Sequence, residues 1–384
     1  MEYEILRPPP HRHRMVWILA VVLLVAALGG GAYVLGAHRG TTATPAHHAT
    51  SPLATTAHPV SVVATVPATG ATDVPSNQVV TVTLSDPVAT VTAVPTFTPI
   101  VAGTWRKTAA NRLTFAAAGP FLPTVTETLT IPAGLRATSG ATLGTPTTVT
   151  FAVAQASTER LQQLLAQENY LPLTFTPTNP TTPPTDLATA QPGTFAWRWP
   201  GLPPDFTSQW IEGSENVITK AALMSFQNQH GLQVDAIAGP AMWTALLADA
   251  TASRTNTEPY VDVLVSKQVP ETLTLYENGA PVMADVAVNT GAPGADTADG
   301  TFPVFEHVPS SRMQGTNPDG STYDDPAVPW ASYFNGGDAL HGFVRATYGT
   351  PQSNGCVEMP IATAAQVWPL TPIGTPVTVT GPSS

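Results

Sequence analysis

Cys356 is the only cysteine among the 384 residues of the chain. A lone thiol has no internal disulfide partner, so it serves as inert packing, an intermolecular link or a nucleophile. His341 lies in the same short region, Gly342 follows the histidine, and Gly355 precedes the cysteine. An imidazole that takes the proton of a thiol creates a thiolate, which attacks carbonyl carbons. We therefore predict that Cys356 is a nucleophile and that His341 is its general base and acid.

The cysteine follows a short polar turn made of Ser353, Asn354 and Gly355. Serine and asparagine bond to local backbone groups in turns, and glycine permits a tight backbone. The alternative is a small buried cysteine with an unrelated surface histidine. A cysteine in a turn rather than in an apolar run favours the nucleophile. The backbone N–H groups of this turn are then candidates to hold an oxyanion.

Several ordered blocks extend the pattern over the last third of the chain. They are VDV at 261–263, LTLYENG at 273–279, VNTG at 288–291, TADGTF at 297–302 and IGTPV at 373–377. With His341-Gly342 and Cys356, they make residues 259–381 resemble an L,D-transpeptidase catalytic domain of the YkuD type. The resemblance implies a mostly-β fold.

Three positions depart from the family's usual pattern. Asn354 stands where the family has His, Glu358 where it has Arg, and Ala298 where it has Pro. Glu358 reverses a charge near the nucleophile. We expect it to raise the pKa of the thiol or to change which stem peptide is accepted.

The resemblance implies a cell-wall acyltransferase whose partner is peptidoglycan, with no cofactor and no metal. The thiolate would attack a tetrapeptide stem and form a thioester, and an amine of a second stem would resolve the thioester into a cross-link. Water as the acceptor would make the enzyme an L,D-carboxypeptidase. Two further alternatives are a non-catalytic peptidoglycan-binding scaffold and a cysteine hydrolase that acts on a different amide.

Other residues near the pair are expected to bind substrate. Residues 313–323 are rich in Gly, Asp, Ser and Pro, and they occupy the position of a mobile cap in the related enzymes. We predict that Tyr323, Tyr333, Gly342 and Glu358 contact the substrate. Anchoring a loop is the alternative for each tyrosine. No carboxylate near His341 is evident, so a backbone carbonyl is expected to orient its ring.

The N-terminal region predicts a membrane anchor. Residues 15–37 carry no charge and are long enough to span a bilayer as a helix, after a short tail, 1–14, that holds Arg7, Arg12 and Arg14. The arginines keep the tail in the cytoplasm. The chain would then be a single-pass protein of the cell membrane with its C-terminal domains outside the cytoplasm. A cleaved signal peptide is the alternative.

A flexible linker at 38–59, rich in Thr, Ala, Pro and His, precedes two smaller domains. Residues 60–155 alternate in hydrophobicity between turn signals, which predicts an all-β sandwich that resembles bacterial immunoglobulin-like domains. Trp105 is expected to pack in it, and the domain to act as a spacer. The formal net charge of −11 does not favour binding to the negatively charged backbone of nucleic acid.

Residues 157–249 resemble a small α-helical peptidoglycan-binding domain with an insertion at 174–213. A helix is predicted to begin at Ser157, and His230 is expected to be structural. Trp197 and Trp199 in the insertion either stack on a ligand or fold back on their own domain. A polar linker at 250–258 follows. The predicted fold class is therefore multidomain: a transmembrane helix, a β-sandwich, a helical domain and a mostly-β catalytic domain.

Overall fold

A computed structural model describes residues 58–89, 94–179 and 189–381. The predicted anchor at 15–37 and most of the predicted linker at 38–59 lie outside these ranges. Within them, no helix has the length and apolar character needed to cross a membrane.

The first domain is a sandwich of two four-stranded sheets, as the alternating pattern predicts. Its strands are β1 (Val62–Val66), β2 (Ala71–Val74), β3 (Val80–Leu84), β4 (Thr96–Thr98), β5 (Gly103–Ala109), β6 (Arg112–Ala117), β7 (Thr126–Ile131) and β8 (Thr147–Val153). One sheet has the order β1-β3-β6-β5 and the other β2-β8-β7-β4. In β3 the valines and leucine are buried while the threonines between them are half-buried, which is the period of two expected for a sheet with one core face. The Trp105 ring packs against Phe97 and Phe115 beside this core, which confirms its packing role.

The helical domain follows directly. Its elements are α1 (Thr158–Gln167), β9 (Leu173–Pro177), β10 (Gly193–Trp197), α2 (Pro204–Thr207), α3 (Val217–Gln229) and α4 (Pro240–Ala252). Ser157 caps α1 by accepting a 3.1 Å hydrogen bond from the Arg160 N–H, as predicted. Because α4 continues to Ala252, the predicted linker at 250–258 begins too early.

The insertion at 174–213 folds back on its own domain. Strands β9 and β10 form a hairpin, and Phe175, Phe195, Trp197 and Trp199 pack with the helices in one core. Phe175 is buried in this core and the other three are partly buried against it, so Trp197 and Trp199 fold back on their own domain. Residues 180–188 of the insertion lie outside the described ranges.

The catalytic region is mostly β, as predicted, and consists of two sheets. Its elements are β11 (Val261–Ser266), β12 (Thr272–Glu277), β13 (Ala280–Ala287), β14 (Gly300–Pro303), β15 (Glu306–Thr316), β16 (Thr322–Asn335), β17 (Asp338–Gly342), β18 (Val357–Met359), α5 (Ile361–Val367), a 3₁₀ turn (Trp368–Leu370) and β19 (Pro376–Thr380). One sheet has the order β13-β12-β11-β19-β14 and the other β15-β16-β17-β18. Buried side chains of both sheets and of α5 form a shared core.

Helix α3 packs against the catalytic region next to Gly374. A Cβ atom at Gly374 would lie 2.6 Å from the backbone nitrogen of Ser225 and 2.8 Å from the carbonyl oxygen of Ala221. Such distances leave no room for a side chain, so the glycine allows the helix to approach the turn before β19.

Candidate active site

Strands β17 and β18 bring the predicted nucleophile and base together. They pair in parallel, with His341 opposite Glu358 and Leu340 opposite Val357. Paired residues share one face of a sheet, so Glu358 lies beside His341, and Cys356 directly precedes β18. The sequence separates Cys356 from His341, but adjacent strands place both on one wall of one cavity.

His341 is buried, with 3% of its surface exposed. Its Nδ1 atom lies 3.2 Å from the carbonyl oxygen of Gly342, which confirms that a backbone carbonyl orients the ring. Burial lowers the pKa of His341, while the Gly342 carbonyl and the Glu358 carboxylate oppose that shift. The histidine is therefore neutral at neutral pH and is able to accept a proton.

The surroundings of Cys356 favour the protonated thiol over the thiolate. Its Sγ atom donates to the carbonyl oxygen of Gly337 over 3.6 Å. Burial raises the pKa of the thiol to about 12, and Asp338 and Glu358 add to the increase. The sequence pattern suggests an activated thiolate, whereas the structure holds a neutral thiol whose proton must first move to His341.

The turn before the cysteine is closed by Ser353. Its Oγ atom donates a 2.5 Å hydrogen bond to the carbonyl oxygen of Cys356 and accepts a 3.2 Å bond from the Gly355 N–H. The Gly355 N–H is therefore already used. Among the predicted oxyanion donors of the turn, the N–H groups of Asn354 and Cys356 have no acceptor within the described ranges. Gly355 has φ +114°, and a Cβ atom there would lie 2.3 Å from Oδ1 of Asp338.

Glu358 does not present a free negative charge. Arg345 donates to it twice, from Nε to Oε2 and from Nη2 to Oε1, each over 2.7 Å. The Arg345 guanidinium also lies 4.8 Å from the centre of the Phe343 ring. The expectation that Glu358 raises the pKa of the thiol is correct in direction, but its effect is the last of the four causes, behind burial.

A long hairpin forms the opposite wall of the cavity. Residues 313–323, predicted as a loop, belong to β15, β16 and the turn between them. At this turn, Nδ2 of Asn354 donates a 2.7 Å hydrogen bond to Oδ1 of Asn317. The cavity measures about 200 Å³. Its walls are formed by Met313, Asn317, Tyr323, Asp325, Val328, His341, Phe343, Arg345, Asn354, Cys356 and Glu358.

Two of the predicted substrate contacts lie elsewhere. Tyr333 is absent from the cavity wall, and its hydroxyl lies 2.8 Å from Oγ of Ser311, so it anchors the hairpin. Gly342 faces α5, where a Cβ atom would lie 3.0 Å from Cα of Ile361. This glycine permits close packing behind the site. Tyr323 and Glu358 do reach the cavity.

Sequence reasoning missed three polar or charged residues of the wall, which are Arg345, Asp325 and Asn317. Arg345 could have been found from Glu358, which stands where the family pattern has arginine. A carboxylate buried at that position requires a cationic partner nearby. No comparable signal marked Asp325 or Asn317, whose position depends on the register of the hairpin.

Three family models match the chain. Residues 259–379 match the YkuD family, described as the L,D-transpeptidase catalytic domain. Residues 56–153 match a bacterial Ig-like domain, and residues 207–246 match a peptidoglycan binding domain. No curated protein sequence matches the chain.

Solved structures of L,D-transpeptidases are similar to the chain. One from Mycobacterium smegmatis has 14% identity and a TM-score of 0.30, covering 84% of this chain and 99% of its own. L,D-transpeptidase 3 from Mycobacterium tuberculosis, with a faropenem-derived adduct, has 13% identity and a TM-score of 0.29, covering 83% and 97%. The catalytic domain from E. faecium has 23% identity and a TM-score of 0.29, covering 33% and 100%.

Proposed function

We propose that this chain, which carries an L,D-transpeptidase catalytic domain of the YkuD family, cross-links peptidoglycan through a thioester on Cys356. The observation that carries the proposal is that the lone thiol and the buried neutral imidazole of His341 line one cavity. The match of residues 207–246 to a peptidoglycan binding domain supports the same partner.

The first half of the reaction acylates Cys356. His341 takes the thiol proton, and Sγ attacks the carbonyl carbon of the donor peptide that precedes its terminal D-alanine. The oxyanion of the tetrahedral intermediate is held by backbone N–H groups of the turn, for which Asn354 and Cys356 are the free donors. The C–N bond then breaks, and His341 returns the proton to the departing amine. Because the site disfavours a free thiolate, the proton leaves Sγ as the S–C bond forms, and the negative charge develops on the carbonyl oxygen instead of on sulfur.

The second half transfers the acyl group. An acceptor stem reaches the thioester as an ammonium ion and loses one proton to water. As its nitrogen attacks the thioester carbon, His341 takes the second proton and passes it to the departing Sγ. The product is an amide between two stems, and the free thiol is restored. Water that attacks in place of the amine gives a shortened donor stem, which is the carboxypeptidase reaction.

Intact-mass spectrometry with a disaccharide-tetrapeptide tests this function. We expect an adduct on the protein equal to the donor minus D-alanine, followed by a cross-linked dimer, and neither product from the Cys356→Ala variant. An adduct that decays only to the tripeptide would assign the carboxypeptidase instead. A chain that sediments with purified peptidoglycan but never forms an adduct would be a scaffold.

We further propose that residues 15–37 anchor the chain in the cell membrane, with the domains from residue 60 onward on the cell-wall side. The support is the uncharged length of this segment and the three arginines before it. Membrane fractionation tests it. The full chain should resist extraction by alkaline carbonate, and a chain that starts at residue 38 should be released.

A further inference from the structure

Asp325 is a carboxylate of the cavity wall to which the mechanism gives no role. It lies on β16, opposite Met313 of β15, and Tyr323 two residues earlier lines the same cavity. The neighbouring Asp324 shares the opposite face of the hairpin with Arg312, and the two form a bidentate ion pair of 2.6 and 2.7 Å. Because side chains alternate along a strand, the two adjacent aspartates lie on opposite faces of the hairpin. Asp324 pairs with Arg312 on the outer face, and Asp325 faces the cavity.

Within the part of the chain that the structure describes, Asp325 has no hydrogen-bond or ion-pair partner. The other charged groups of the cavity wall are Arg345 and Glu358, and these neutralise each other. Asp325 thus gives the cavity one uncompensated negative charge. Its charge partly opposes the lowering of the His341 pKa by burial and adds to the raised pKa of Arg345, so Asp325 lies within electrostatic reach of the base.

An unpaired carboxylate near a reacting thioester favours a cationic ligand. The acceptor amine is such a ligand, because a free alkylamine with a pKa of about 10.4 is protonated at neutral pH. Water, its competitor, carries no charge. A carboxylate that binds the ammonium ion through its charge but has no such attraction for water favours the amine over water as the acceptor.

We propose that Asp325 holds the ammonium group of the acceptor stem beside Cys356 and His341, and so directs the thioester towards the amine rather than water. This proposal rests on the proposed function, since it assigns the acceptor step of the same site. The carboxylate on the hairpin wall receives the ammonium ion, which then loses one proton to water. As the resulting amine attacks the thioester, His341 on the strand wall takes the second proton.

The test measures how each acyl-enzyme divides between the two products. The purified full chain is given a disaccharide-tetrapeptide as donor and acceptor, and the ratio of dimer to tripeptide is measured in wild type and Asp325→Asn. We expect the ratio to fall about ten-fold, as for the loss of a hydrogen bond to a charged group. The ratio is independent of how much acyl-enzyme forms, so it separates acceptor selection from general damage to the site.

Asp324→Asn is the matched control, because it removes the same charge from the adjacent residue on the outer face. Its ratio should stay within about two-fold of wild type. Raising the ionic strength should lower the wild-type ratio towards that of Asp325→Asn and leave the variant unchanged. A merely structural role for Asp325 would not produce this salt dependence.

Two results would overturn the proposal. One is a wild-type ratio in Asp325→Asn, with or without slower acylation; slower acylation alone would mean that Asp325 contacts the donor. The other is an equal fall in Asp324→Asn, which would indicate a long-range charge effect. If wild type itself forms no adduct, the proposed function fails, and that outcome is distinct from both.

Discussion

Arg345 holds the carboxylate of Glu358 with two hydrogen bonds of 2.7 Å, next to the wall that carries Cys356. Glu358 is buried, with 6% of its side chain exposed, whereas Arg345 is 31% exposed. The family pattern has an arginine where Glu358 stands, so here the cation comes from the segment after β17. The two residues restore a neutral pair at a place where a lone buried carboxylate would be costly.

Arg345→Met should therefore destabilise the chain by about 2–4 kcal/mol, since it leaves Glu358 buried without its partner. The midpoint of urea unfolding, followed by tryptophan fluorescence, measures the change. Arg312→Met is the control: it breaks an exposed pair with Asp324, and the expected change is below about 1 kcal/mol.

Exchanging Arg345 and Glu358 tests whether their opposite charges, rather than the shapes of the two side chains, stabilise the fold. The Arg345→Glu, Glu358→Arg double variant should recover at least half of the stability that either single reversal loses, because it restores opposite charges in contact. Additive losses in the double variant would contradict an ion pair as the reason for the two residues.

The sequence predicts the reacting pair from local signals, because the single cysteine, the histidine and the flanking glycines are visible without knowledge of the fold. It does not predict β17 and β18, which are short and buried without alternation. The Arg345–Glu358 pair is not visible in this way. It joins residues 13 positions apart in different segments, and no helical or strand periodicity connects them.

The hairpin of β15 and β16 is a second feature that the sequence does not predict. Its Gly, Asp, Ser and Pro content is typical of a loop, and β15 exposes residues along its length instead of alternating strictly. Its structure comes from backbone pairing, which composition does not encode. Tyr333 is misplaced by sequence reasoning for this reason: the register puts its hydroxyl against Ser311 and leaves Tyr323 to face the cavity.

Gly355 should tolerate no side chain. Gly355→Ala would place a Cβ atom 2.3 Å from Oδ1 of Asp338, in a backbone with φ +114°. We expect a loss of at least about 2 kcal/mol in stability and a loss of acylation at Cys356. Thermal unfolding and adduct mass measure the two effects.

Gly140→Ala is the matched control for backbone strain without a clash. Gly140 has φ +89°, and a Cβ atom added there would have no neighbouring atom within 4 Å. Its cost should be about 1 kcal/mol, with acylation unchanged. Equal losses in both variants would mean that strain, rather than contact with Asp338, fixes the glycine at 355.

Glu168 makes the stability of the helical domain depend on pH. It is 2% exposed, and neither of its carboxylate oxygens has a partner within the described part of the chain. Burial and the charge of Asp249 raise its pKa to about 8, although Arg254 opposes this. Because the folded state holds this proton more tightly than the unfolded state does, stability is greatest below pH 4.5 and is lost as the pH rises towards 8.

Glu168→Gln should remove this contribution, on the order of 2–4 kcal/mol between pH 5 and pH 8. Urea unfolding at several pH values measures it, with Glu159→Gln on the first turn of α1 as the control. The variant and wild-type curves should converge at low pH and separate at pH 8, with the variant more stable. Parallel curves would show that Glu168 does not titrate in this range.

The thiol of Cys356 should react with alkylating reagents as a weak acid. With a pKa of about 12, about one molecule in ten thousand carries the thiolate at pH 8. Alkylation by iodoacetamide should therefore be slow at neutral pH and rise about ten-fold per pH unit up to pH 10 without a plateau. The urea-unfolded chain should level off near pH 9, and since the chain has one cysteine, mass spectrometry reads the rate directly.

His341→Gln tests whether catalysis requires the proton transfer that this pKa implies. Alkylation measures the thiolate already present, so its pH profile should stay within about two-fold of wild type. Acylation by the donor peptide requires the base, and it should fall by at least about 100-fold. A plateau below pH 8 in the wild-type alkylation profile, abolished by His341→Gln, would instead reveal a preformed thiolate–imidazolium pair. The site would then be activated before substrate binds, and the neutral thiol at Gly337 would not be the resting state.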